Sequence, residues 1–162
     1  MNRGFRMTKP NVYRLPPDIA DFADRYQEAL SRAIGNRMRQ VGVPEELIGI
    51  EWWGIEKGPF VRYHPPQFGG NIRRGSNGKP GINVDATVFD ANAPKMGLLL
   101  SWRTASLRHR IDAVIAHEYT EALAPQGEDF HLYAVKNAEN TAIAISDRAR
   151  QILREYRRAE GY

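Results

Sequence analysis

The stretch "LRHRIDAVIAHEYTEALAPQG", Leu107 to Gly127, decides how the chain is built. Leu107, Ile111, Val114, Ile115, Ala122 and Leu123 recur at helical spacing, Thr104 or Ser106 can cap the start, and Pro125 and Gly127 break the run. A helix is predicted, with unusually placed polar residues. On a wheel of about 100° per residue with His117 at zero, Glu121 falls at about 40° and Glu118 at about 100°, while most of the apolar residues lie at roughly 60–160°. Glu118 therefore points into the apolar sector, and His117 and Glu121 stand on its border.

An ionised carboxylate taken out of water needs a counter-charge or it takes up a proton. Between Arg110 and Lys136 there is no lysine or arginine, whereas Asp112, Glu118, Glu121, Glu128 and Asp129 all lie there. A bound cation would supply the missing charge. The spacing suits one, because side chains at i and i+4 stand one above the other on a helix and can close on a single ion. His117 and Glu121 form that pair. Glu118, displaced sideways by one residue, is placed to take a proton from metal-bound water without joining the ligands.

"HEYTE", residues 117–121, resembles the HExxH motif of zincin metallopeptidases, with a glutamate where the second histidine would stand. The resemblance spans Ile111 to His131. It implies that His117 is a metal ligand, that Glu118 is the general base, that Glu121 takes the place of the second histidine, and that His131 supplies the third ligand from beyond the Pro125–Gly127 turn. The implied cofactor is one divalent metal: zinc first, with manganese or iron admitted by the carboxylate. The implied activity is metal-dependent hydrolysis of a peptide or another amide. The same residues also admit a structural reading, in which His117 and Glu121 make a surface ion pair, Glu118 bonds an arginine such as Arg103, and His131 merely opens a helix.

Upstream, Pro16-Pro17-Asp18 opens a helix whose apolar stripe runs through Ile19, Phe22, Tyr26, Leu30, Ala33, Ile34 and Met38 and ends near Gly42. Residues 1–16 carry Arg3, Arg6, Lys9 and Arg14 and no acidic residue, so they read as a basic arm preceding a single domain, 17–162. "LIGIEWWGI" (47–55), "PFVRYH" (59–64) and the alternating "INVDATVFD" (82–90) predict strands of a small, mostly antiparallel sheet. "PKMGLLLSW" (94–102) reads equally as a short strand or a turn of helix. Phe130 to Lys136 and a Ser146- or Asp147-capped segment close the chain as helices. The expected class is α+β: an N-terminal helix, the sheet, the HExxE helix and C-terminal helices.

Residues 57–79 hold Lys57, Arg62, Arg73, Arg74 and Lys79 with no acidic residue, interleaved with Tyr63, His64 and Phe68. Arg62, His64, Arg73, Arg74 and Lys79 could thus bind substrate or a polyanion. The alternative function is a non-enzymatic module holding nucleic acid or an acidic partner, with the His-Glu cluster structural; a metal-dependent nuclease would combine both. One of Trp52 and Trp53, facing opposite ways on a strand, could line a cleft. His109 is out of phase with His117 and is not a ligand candidate. The arginines of the last helix read as a solvated face.

Across 162 residues with 42% hydrophobic and 26% charged content, the composition is that of a folded protein, and the net charge of +4 is modest. The absence of cysteine excludes thiol catalysis, disulfides and Cys-ligated zinc or iron–sulfur clusters. Lys79 is followed by proline, which excludes a phosphate-binding loop of the GxxxxGK[ST] type, and no serine lies in a GxSxG elbow. No apolar run is long enough to span a membrane, and the N-terminus has no secretory pattern, so a cytoplasmic location is expected.

Overall fold

The computed structural model describes residues 12–13, 15–48, 61–62, 70–74, 80–84 and 86–162. In chain order these form strand β1 (Val12–Tyr13), helices α1 (Pro17–Arg25) and α2 (Gln27–Val41), strands β2 (Val61–Arg62), β3 (Gly70–Arg74) and β4 (Pro80–Val84), and helices α3 (Leu100–Arg103), α4 (Leu107–Ala122), α5 (Phe130–Asn137) and α6 (Asp147–Ala159). Short 3-10 turns lie between them.

Helix α4 is the axis of the molecule. From Asp112 to Glu118 every residue is buried, and successive residues about 100° apart leave no face of this stretch to solvent. Helices α5 and α6, the β3–β4 hairpin and the turns Ala86–Phe89 and Ala138–Asn140 pack around it. The polar residues of so enclosed a helix need partners. Arg110 donates to the carbonyls of Val88 (2.8 Å) and Ala105 (2.6 Å) and lies 5.7 Å from the centre of the fully buried Trp102 ring. Asp112 accepts two bonds from Arg37, at 2.8 and 2.7 Å, and a third from the Ser146 backbone N–H at 3.0 Å, tying α2 and the start of α6 to α4.

The α+β expectation is overturned. Among the described residues helix far outweighs strand, and strand is limited to two short antiparallel pairs, β1 with β2 and β3 with β4, neither of which builds a sheet layer. The alternation in "INVDATVFD" accounts for part of the error. Ile82 and Val84 are buried on β4, but the strand stops there, and Ala86 to Phe89 coil into a 3-10 turn that buries Ala86, Thr87 and Val88 together. A half-buried strand would have turned Thr87 outward; burial of successive residues between α1 and α4 accompanies the turn instead. Most of "LIGIEWWGI", with Trp52 and Trp53, lies outside the described residues.

The N-terminal helix also divides, at Tyr26, into α1 and α2. Its stripe splits with it: Ile34 and Met38 on α2 are buried, while Phe22 and Tyr26 stay exposed with their rings 5.3 Å apart. The end at Gly42 is a Schellman motif. Gly42 takes φ +102°, its N–H bonds the Arg39 carbonyl and the Val43 N–H bonds the Met38 carbonyl at 2.9 Å, with Met38 and Val43 both in the core. "PKMGLLLSW" resolves into a 3-10 turn followed by α3. At the other end of the chain, Ser146 caps α6 by accepting from the Ala149 N–H at 3.1 Å.

The arginines of α6 turn inward more than a solvated face would. Arg154 and Arg157 hold the Glu139 carboxylate at 2.8 and 2.7 Å, and Arg150 bonds the carbonyls of Glu139, Thr141 and Ile143.

Lys95 occupies a costly backbone conformation. With φ +69° and ψ −56°, and the Met96 N–H bonded to the Pro94 carbonyl at 2.7 Å, it is the centre of a γ-turn of the strained kind. Its ammonium pairs with Glu160 at 3.1 Å, a partly exposed contact contributing about 0–1 kcal/mol. Strain of about 1–3 kcal/mol exceeds that gain, so Lys95→Gly is expected to raise the melting temperature by a few degrees in differential scanning calorimetry. A fall would show that the ion pair outweighs the strain.

Candidate metal centre

His117 and Glu121 stand one turn apart at the C-terminal end of α4, and the chain must reverse to bring a third group to them. It does so at Pro125–Glu128, where the Glu128 N–H bonds the Pro125 carbonyl at 3.1 Å and Gly127 takes φ +90°, a value that favours glycine at this place in a turn. Asp129 then caps α5, its carboxylate accepting from the Leu132 N–H at 2.9 Å. His131 is thereby held in the first turn of α5, facing the end of α4.

The three side chains meet. One oxygen of Glu121, Oε2, lies 3.0 Å from His117 Nε2 and 3.5 Å from His131 Nδ1, and the imidazole centres are 5.1 Å apart. One donor atom from each of the three falls within 4.8 Å of the others. Ligands about 2.0–2.1 Å from a tetrahedral zinc stand about 3.4 Å from each other, so the spacings around Glu121 already match those of a coordination shell. Two imidazoles and one carboxylate on fixed helices fit zinc, and the same donors accept manganese or iron.

Electrostatics prepare these groups for a cation. Burial pushes the His117 imidazole below its ordinary range, outweighing the opposite pull of Glu121. Burial alone would raise the Glu121 carboxyl, but the two rings bonded to it hold it at about 2. The Glu121 bond raises His131. Beside an ionised Glu121, a neutral His117 donates its Nε2 proton to the carboxylate, so a cation binding there would require that proton to leave Nε2. His117 is 1% exposed and His131 49%, so the cluster is sealed on the α4 side and open toward α5.

Glu118 is buried at 2% exposure, as its place on the wheel predicted. Arg103, the partner considered for it in the structural reading, donates instead to the Gly97 carbonyl at 2.8 Å. His109 bonds Ser146 Oγ at 2.8 Å, away from the cluster. Two members of the acidic run have structural duties: Asp112 holds Arg37 and Asp129 caps α5. Of the basic loop, Arg62 lies on β2 and Arg73 and Arg74 on β3, opposite Gly81 and Pro80. Lys57, Tyr63, His64, Phe68 and Lys79 lie outside the described residues.

Tyr156 is the member of the site that sequence reasoning missed. It is 3% exposed on α6, its hydroxyl is 3.3 Å from His131 Nε2, and its ring centre is 6.0 Å from that of His117. Burial, with the charges of Glu160, Glu121 and Glu118, raises its phenol and keeps it protonated. In the sequence it is one more residue of the α6 apolar stripe, after Ala149, Ile152 and Leu153. Comparison with protein-family models, with curated proteins and with solved structures finds no match.

Proposed function

We propose that the protein is a metal-dependent hydrolase of a peptide or another amide, in which His117, Glu121 and His131 hold one divalent cation, zinc foremost. The convergence of these three donors from two helices to within 4.8 Å of one another carries the proposal. The ion would supply Lewis acidity and acidify a water. Glu118 would be the group that receives the proton of such a water, and the exposed His131 side leaves the cluster open to solvent. His117, buried in the core, and Glu121, half-buried one turn beyond it on the same helix, give two of the donors a fixed base. No helix among the described residues is long and apolar enough to cross a membrane.

The test is elemental mass spectrometry on wild-type protein and His117→Ala, with circular dichroism as a check that both are folded. About one zinc, manganese or iron per chain is expected in wild type, falling to background in the variant. No ion in wild type, even after incubation with zinc, would refute the proposal and make the cluster a structural polar contact.

A further inference from the structure

The two nitrogens of His131 face different partners: Nδ1 lies 3.5 Å from Glu121 Oε2, and Nε2 lies 3.3 Å from the Tyr156 hydroxyl. A neutral imidazole carries one proton, so binding a cation through one nitrogen requires the proton on the other. Nδ1 is the nitrogen turned toward Glu121 and His117, so the proton belongs on Nε2, where it needs an acceptor. Tyr156 Oη is that acceptor. A phenol oxygen also donates, so the contact persists whichever way the proton sits.

His131 needs this support more than His117 does. At 49% exposed it lacks the enclosure that fixes His117, so the contacts at its two nitrogens matter more to the orientation of the ring. The platform supplying the second bond is firm. Arg154 and Arg157 clamp α6 to Glu139, and the Tyr156 ring itself is buried in the core.

We infer that Tyr156 is a positioning residue of the metal site, holding the His131 ring with Nδ1 toward Glu121 and accepting the Nε2 proton when a cation occupies Nδ1. The inference rests on the metal-site reading above. Partners of this kind, bonded to the far nitrogen of a ligating histidine, commonly change metal affinity about 10–100-fold.

Tyr156→Phe removes one oxygen and keeps the ring, and three measurements compare it with wild type. They are zinc affinity by chelator competition, the melting temperature of the zinc-free protein, and the long-range proton–nitrogen spectrum of the His131 ring, assigned through His131→Gln. Zinc affinity is expected to fall about 10–100-fold, the melting temperature to move by no more than about 5 °C, and the His131 spectrum of the zinc-loaded protein to pass from coordination through Nδ1 alone to a mixture in which a flipped ring also binds through Nε2. Unchanged zinc affinity, or an unchanged His131 spectrum, would overturn the role. A large drop in melting temperature with unchanged affinity would reduce Tyr156 to core packing. If wild type takes up no zinc, the metal-site reading itself fails and this inference with it; if wild type binds zinc and Tyr156→Phe binds it equally, only the role of Tyr156 fails.

Discussion

If the proposed hydrolase reading holds, Glu118→Gln is expected to abolish amide hydrolysis, lowering kcat by at least about 10²–10⁴-fold, while the zinc content stays close to that of wild type. Glutamine matches glutamate in shape and fits the same buried position, so the helix and its neighbours need not move. What it lacks is a site to receive the proton of the attacking water. Glu118 is separate from the donor set of His117, Glu121 and His131, so losing its charge leaves those donors in place. The measurement is single-turnover hydrolysis beside elemental analysis on the same sample. Retained turnover would remove Glu118 from the mechanism, and loss of zinc along with turnover would make it part of the metal's support rather than the base.

Asp112→Ala is expected to destabilise the fold by about 3–5 kcal/mol, the usual cost of removing one partner of a buried ion pair. The carboxylate is fully buried, and its loss removes both short bonds of the Arg37 guanidinium, whose side chain is 19% exposed, leaving it a 3.3 Å bond to Gln40, and takes away the acceptor of the Ser146 N–H. Against a total stability of about 5–15 kcal/mol that is a large fraction, equivalent to a melting temperature lower by on the order of 10 °C for a chain of this length. Urea denaturation of Asp112→Ala, Arg37→Met and the double variant decides the cause. If charge stranding dominates, the double variant is more stable than Asp112→Ala alone; if it is no better, the loss comes from the cavity at Asp112.

The helices were readable because their signals are local. The apolar spacing of Leu107 to Leu123, the glycine at 42, the Ser146 cap and the Pro125–Gly127 break each act within a few residues, and the structure realises all of them. The strands were harder to read. Alternation at Ile82, Val84, Ala86 and Val88 is compatible with a strand, but Ala86 to Phe89 form a turn packed between α1 and α4, which buries Ala86, Thr87 and Val88 together. A period of two records which residues are apolar, and it does not record how many sides of the segment will be covered.

The candidate site shows the same division. The sequence by itself determined the donors: a histidine and a glutamate one helical turn apart, a second glutamate between them, and a histidine past a glycine turn. Only the tertiary structure decided that His131 folds back to Glu121, that Tyr156 stands behind it, and that Asp112 is spent on Arg37 and Ser146. Helical periodicity follows from hydrogen bonds that each residue makes with its near neighbours. The meeting of α4, α5 and α6 depends instead on which distant surfaces exclude water together, and that is a property of the folded chain as a whole.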